Sequence, residues 1–287
     1  MKCSVISKSE LAKKGFGGIT AVGQGSRNEP KLIVLEYGGG PPSQKPIVLV
    51  GKAVTFDTGG ISLKIGESIN EMKFDKCGGC TVLGIMKAVS ELKFSSNIVG
   101  IIPAVENMPG GESYRPDDII KLYSGKTAEI LNTDAEGRLI LADALSYGEK
   151  HYSPRAIIDF ATLTGACIIA LGNNVAGMVS NDDGLAQKIQ ESSENTAEKV
   201  WRLPLDDDYM DMISSDVADM KNMGTGKAAG TIAAAAFLRN AVEATPWVHL
   251  DIAGVAWTQK ATKEKPYNPR GATGFGVRLV LDYLKKY

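Results

Sequence analysis

Pro46-Ile47-Val48-Leu49-Val50-Gly51 is an unbroken apolar run with none of the polar alternation of a half-solvated strand. Such a run predicts a strand buried on both faces, as in a sheet covered by helices on each side. Before it, Gly38-Gly39-Gly40-Pro41-Pro42-Ser43 can only turn, and Lys31 to Tyr37 supplies a second short strand. Downstream the pattern alternates. Helices are expected over 77–92, 138–150, 183–193, 228–242 and 276–286, and strands over 97–105, 127–131, 155–162, 175–179 and 247–252. Leu139, Ala142 and Leu145 fall on one helical face. The expected fold is therefore α/β: a single domain over 1–287, with a mixed, mostly parallel central sheet covered by helices on both faces. Residues 1–30 read as a linker or lead-in segment. No internal repeat or low-complexity stretch interrupts the pattern.

Composition narrows the function classes. The chain has 287 residues and 44% hydrophobic content, enough for a sizeable core. Its 32 basic and 33 acidic residues leave a net charge of -1, which gives neither nucleic acid nor an anionic membrane an electrostatic reason to bind. No apolar run of membrane-spanning length occurs, and Met1-Lys2-Cys3-Ser4 lacks the core of a signal peptide, so a cytoplasmic location is expected. Four cysteines are too few for a disulfide framework in a chain of this size. Cys77-Gly78-Gly79-Cys80 is a C-x-x-C, a pattern that can be redox-active or bind zinc, but it stands alone and opens a helix, and small residues for close packing are the favoured reading. With only His151 and His249, a zinc site built on two or three histidines cannot form. No G-x-S-x-G elbow accompanies either one, and both read as structural.

Two acidic stretches carry the chemistry. Asn132-Thr133-Asp134-Ala135-Glu136-Gly137-Arg138-Leu139 sets two carboxylates and a guanidinium at alternate positions, on one face if the loop is extended. Taken alone, it also reads as an exposed acidic turn with Asp134 as a helix cap. A second segment, Gly51-Lys52 through Asp57-Thr58-Gly59-Gly60 to Lys64, continues to Met72-Lys73-Phe74-Asp75 and adds two more carboxylates. The apolar strand before Lys52 is expected to desolvate its amine toward the neutral form. Four carboxylates and one amine suit a pair of divalent ions about 3.5–4 Å apart, and without cations that much buried negative charge would not coexist.

On these motifs the chain resembles the leucyl aminopeptidase family of cytosolic di-metal exopeptidases, from about Ser4 to its C-terminus. The octapeptide 132–139 matches that family's characteristic motif without a substitution, and 51–64 fits its other motif. The resemblance implies a phosphorylase/hydrolase-like fold and removal of N-terminal, leucine-like residues from peptides. Lys52 and Asp75 would complete the tighter metal site, Asp57 and Glu136 would bridge both ions, and Asp134 would hold the more exchangeable one. The implied ions are Zn²⁺, Mn²⁺ or Mg²⁺. Lys64 would stabilise the oxyanion, and Arg138 would bind a bicarbonate ion. Met72, Asn132, Ala135, Thr162, Leu163 and Gly165 would lie near the first substrate residue. Ordinary core packing is an equally good reading of Met72 and Leu163. The family also implies a homo-oligomer, normally a hexamer, and an additional N-terminal α/β domain, whereas this chain begins close to the catalytic part. Position 76 is Lys where the family more often has an apolar residue.

Overall fold

Side chains of the strand Ile47–Gly51 divide between two cores. Val48 and Val50 point into one, with the helices Gly17–Gly23, Gly137–Tyr152 and Gly230–Arg239. Ile47 and Leu49 point into the other, with Cys77–Glu91, Asp183–Thr196 and Val277–Lys286. The period-two geometry of a strand thus explains why the run is apolar throughout: each face has its own helical layer. The computed structural model describes residues 1–226, 228–258 and 267–286.

The main sheet runs in the order Lys2–Ile6, Lys31–Gly38, Asn97–Asn107, Ile47–Gly51, Ala156–Ala161, Trp247–Asp251, Ala176–Ser180, Val200–Arg202, and Ala53–Asp57 pairs the far end of Asn97–Asn107. The central pairings are parallel, and antiparallel pairs join the first three strands and the pair Trp247–Asp251 with Ala176–Ser180. The expected α/β architecture is the observed one.

Three local expectations are corrected. Residues 1–30 are not a linker: Lys2–Ile6 extends the sheet, two helices follow, and Leu11, Phe16 and Ile19 are fully buried. These apolar anchors integrate the segment, and the buried Asp143 accepts the Ile19 N–H at 2.9 Å. The strand expected over 127–131 is Thr127–Glu129, and it lies in a separate three-stranded sheet with Ile119–Lys121 and Met220–Lys221. The Asn132 loop is therefore not delivered by the central sheet. The helix Gly137–Tyr152, expected to bury one face, is buried continuously from Gly137 to Gly148, because helices pack on both its flanks.

The C-x-x-C is a packing device. A Cβ on Gly78 would sit 2.1 Å from the Phe160 carbonyl, and one on Gly51 would sit 2.4 Å from the Gly78 carbonyl. Both cysteines are free thiols, Cys77 buried and Cys80 exposed. His249 is buried with Nδ1 2.6 Å from Asp159 Oδ1, whose other oxygen accepts the Trp247 indole N–H at 2.7 Å. His151 stacks on Tyr147.

Candidate metal centre and active site

Lys52 occupies the break between the strands Ile47–Gly51 and Ala53–Asp57, where its N–H donates to Phe160 and its carbonyl accepts from Gly79. The backbone is held on both sides, so the side chain projects from a rigid point. Its ammonium donates to the Thr162 carbonyl at 3.0 Å and pairs with Asp75 Oδ2 at 2.9 Å and Glu136 Oε1 at 2.8 Å. Gly137 makes room for it: a Cβ there would lie 2.8 Å from both Cε and Nζ of Lys52. Asp75 Oδ1 accepts the Thr162 hydroxyl at 2.6 Å, which orients that carboxylate.

The second cation is Lys64, 2.9 Å from Asp57 Oδ2 and 2.5 Å from Asp134 Oδ1. Gly59 and Gly60 reach it by a turn at positive φ (87° and 67°), which glycine adopts without steric cost. Thr133 then fastens this turn to the octapeptide. Its hydroxyl donates to the Gly59 carbonyl at 2.6 Å and accepts the Ser62 N–H at 2.8 Å. Glu136 already has helical φ and ψ and precedes the first residue of the helix Gly137–Tyr152 without a side-chain cap bond. Period-two alternation does not hold across Asp134, Glu136 and Arg138, and the extended-loop expectation gives way to a turn entering a helix. Asp134 and Glu136 nonetheless meet Asp57 and Asp75 through the two lysines.

Carboxylate oxygens of Asp57, Asp75 and Glu136 lie within 4.8 Å of one another. Burial, with Asp57 adding to it and Lys52 opposing, pushes Glu136 up to about 8. Burial likewise pushes Asp75 up to about 6 against the pull of Lys52. Asp134 is raised by burial and by Asp57. Lys52 corrects a sequence expectation. Burial pulls its ammonium toward neutrality, as expected, but Asp75, Glu136 and Asp57 more than reverse that and hold it protonated above the ordinary lysine range. Lys64 is raised in the same way, burial being overcome by Asp57 and Asp134.

A divalent metal fits this donor set. Glu136 Oε2 is buried without a hydrogen bond or ion pair among the described residues, and the surrounding donors are oxygens suited to hard or borderline cations. The profile of the cytosol aminopeptidase family, catalytic domain, matches residues 1–281. The chain belongs to that family. It is 76% identical over 99% of its length to a probable cytosol aminopeptidase of Cenarchaeum symbiosum, covering 58% of that protein. To the probable cytosol aminopeptidases of Syntrophotalea carbinolica and Geobacter sulfurreducens it is 54% and 50% identical, covering 56% of each. The chain thus spans somewhat more than half the length of these relatives.

Around the family's acidic cluster, Arg138 is 6% exposed on the first helical turn, and its Nε has no hydrogen-bond partner among the described residues. Burial, opposed by Glu136 and Asp251, lowers it to about 10. Met72, Asn132, Ala135 and Leu163 are half-buried, Gly165 is exposed and Thr162 is buried beside Asp75. Lys76 is half-buried and its ammonium donates to the Lys73 carbonyl.

Sequence reasoning missed the residues that hold these loops. Asn222 accepts the Leu131 N–H at 2.8 Å and donates to the Asn132 carbonyl at 2.7 Å. Tyr114 donates its hydroxyl to the Thr133 carbonyl at 2.6 Å. Asp251 accepts the Leu163 N–H at 3.1 Å and the Thr164 hydroxyl at 2.7 Å. A carboxylate at the end of a largely apolar strand was the available signal for Asp251.

Proposed function

We propose that this chain is the catalytic part of a metal-dependent aminopeptidase that releases the N-terminal residue of peptides, with leucine-like residues preferred. The observation that carries the reading is the cluster of Asp57, Asp75 and Glu136 oxygens within 4.8 Å, with one Glu136 oxygen unpartnered among the described residues, in a chain of the cytosol aminopeptidase family. In this reading Asp57, Asp75, Asp134 and Glu136, with Lys52 once a bound cation has displaced its proton, would hold two divalent ions, Zn²⁺, Mn²⁺ or Mg²⁺. When bound, such ions polarise a carbonyl and make water acidic enough to serve as nucleophile near neutral pH.

The chain's own residues do the rest. Lys64, a half-buried cation between two carboxylates, is placed to meet negative charge that develops on the scissile carbonyl, and such a fixed charge needs no reorganisation. Arg138, whose Nε has no partner among the described residues, is suited to hold a small anion such as bicarbonate that accepts a proton at the site. Thr162 orients Asp75 and receives Lys52, so the segment from Thr162 to Gly165 couples the pocket wall to the metal ligands. Met72, Asn132, Ala135 and Leu163 would line the pocket for the first side chain.

A homo-oligomer, hexameric by resemblance, and a cytoplasmic location belong to the same reading. No helix among the described residues is long and apolar enough to cross a membrane. The test is release of p-nitroaniline from leucine p-nitroanilide by Mn²⁺-loaded protein, its loss on chelation and its return on adding Mn²⁺. Failure to turn over, or hydrolysis of p-nitrophenyl phosphate instead, would overturn the proposal. Light scattering reads the assembly.

A further inference from the structure

Asn107 ends the long strand Asn97–Asn107 and has no exposed surface. Its amide nitrogen donates to Asp57 Oδ1 at 2.9 Å and to the Thr133 carbonyl at 3.1 Å. The reverse orientation of the amide would set its oxygen against a carboxylate and a carbonyl, so the chemistry of the neighbours fixes which atom faces them. That oxygen, Oδ1, is buried without a hydrogen-bond partner among the described residues, and it faces Gly60, where a Cβ would come within 2.8 Å. The main chain of Asn107 adds to this, its carbonyl accepting both the N–H of Thr58 at 3.0 Å and its hydroxyl at 2.8 Å. One residue therefore grips the first acidic segment by side chain and backbone, and the second through Thr133.

We infer that Asn107 is a positioning residue of the metal centre, whose amide sets the separation between the Asp57 and the Asp134–Glu136 halves of the ligand set. The inference rests on reading the site as a metal centre. Among the described residues Asp57 Oδ1 accepts from Asn107 and from Gly59 of its own turn, at 2.9 Å each, and Oδ2 faces Lys64 and the site. The Thr133 carbonyl has a second donor in Tyr114, whereas among the described residues Asn107 is the one donor to Asp57 Oδ1 from outside the Asp57–Gly59 turn, Lys64 holding the other oxygen at 2.9 Å. A buried amide unable to satisfy its own oxygen carries a cost in stability, and its retention at this point is accounted for by the two groups its nitrogen joins.

The test is Mn²⁺ titration of the full chain, stripped with EDTA, followed by calorimetry and by electron paramagnetic resonance of the free ion. Asn107→Ala and Asn107→Asp should each weaken Mn²⁺ binding by about tenfold or more, the range seen when groups that orient metal ligands are removed. Tyr114→Phe should weaken it much less. The aspartate variant is the discriminating one: it keeps the volume, and its added negative charge would by itself tighten cation binding. If Asn107→Asp binds as tightly as the unsubstituted chain or more tightly, the positioning role is wrong while the metal centre stands. If the unsubstituted chain binds no Mn²⁺, the metal reading itself falls, and this inference with it. Circular dichroism monitors the fold, and should Asn107→Ala not fold, the near-isosteric Asn107→Asp decides.

Discussion

The Lys52 ammonium and the Glu136 carboxylate meet at 2.8 Å, both almost wholly removed from solvent. The pair leaves Glu136 Oε2 buried and, among the described residues, unpartnered, which makes that oxygen the open position of the proposed ligand set. Glu136→Gln keeps the volume and lets the amide oxygen face Lys52, but it puts an NH₂ group where Oε2 was. Turnover of leucine p-nitroanilide is expected to fall by more than about 100-fold, since removing a ligand should cost at least as much as removing the group that orients one. The circular dichroism spectrum should be unchanged. A variant keeping most of its kcat would remove Glu136 from the ligand set.

Asp75 and Glu136, raised to about 6 and about 8, bind protons more tightly in the fold than unfolded carboxyls do. Protonation therefore favours the metal-free fold. The contribution is complete below about pH 4 and disappears as pH rises through about 8. In the proposed centre, metal binding would need these groups ionised and would compete with the same protons. The gap in melting temperature between Mn²⁺-loaded and EDTA-treated protein should widen from about pH 5 to about pH 9. Calorimetry in buffers of different ionisation enthalpy should find protons released on Mn²⁺ binding. A gap independent of pH would contradict this assignment.

Among the described residues Lys64 touches Asp57 and Asp134 and no backbone acceptor, so its charge stays at the site. Lys64→Met removes the charge and keeps the apolar stem. If Lys64 acts on the transition state, kcat should drop by about 10²–10³ with KM for leucine p-nitroanilide nearly constant. An effect confined to KM would instead make it a residue of ground-state binding.

What the sequence showed and what it hid follow from how each residue acts. Lys52, Asp57, Asp134 and Glu136 stand in contiguous motifs whose residue types fit one chemistry, and the chain itself presents them. Asn107 and Asn222 act on backbone groups brought near only by the fold, at separations of 26 and 90 residues for the Thr133 and Asn132 carbonyls. An asparagine at a strand end reads as a turn, and nothing local says otherwise. The start of the chain was misread for a related reason. Phe16, Ile19 and Val22 are anchors, but the glycines among them weaken any helical pattern. The central strands were the most legible, because burial on both faces leaves an apolar run that few other structures produce.

Gly78 offers a test of the packing that carries Lys52. The helix Cys77–Glu91 starts against the strand ends, and the Gly79 N–H reaches the Lys52 carbonyl at 2.7 Å because position 78 has no side chain. A methyl group at Gly78 would meet the Phe160 carbonyl at 2.1 Å, and this neighbour is backbone inside a sheet, unable to swing away. Gly78→Ala should therefore destabilise the chain by on the order of 3 kcal/mol, more than helix propensity gains. It should also weaken Mn²⁺ binding by shifting Lys52 and Asp75 together. Cys77→Ser and Cys80→Ser leave that contact intact and should be nearly neutral for Mn²⁺ binding. If denaturant unfolding shows Gly78→Ala as stable as the parent while Cys80→Ser loses metal, the C-x-x-C has a chemical role and the packing account fails.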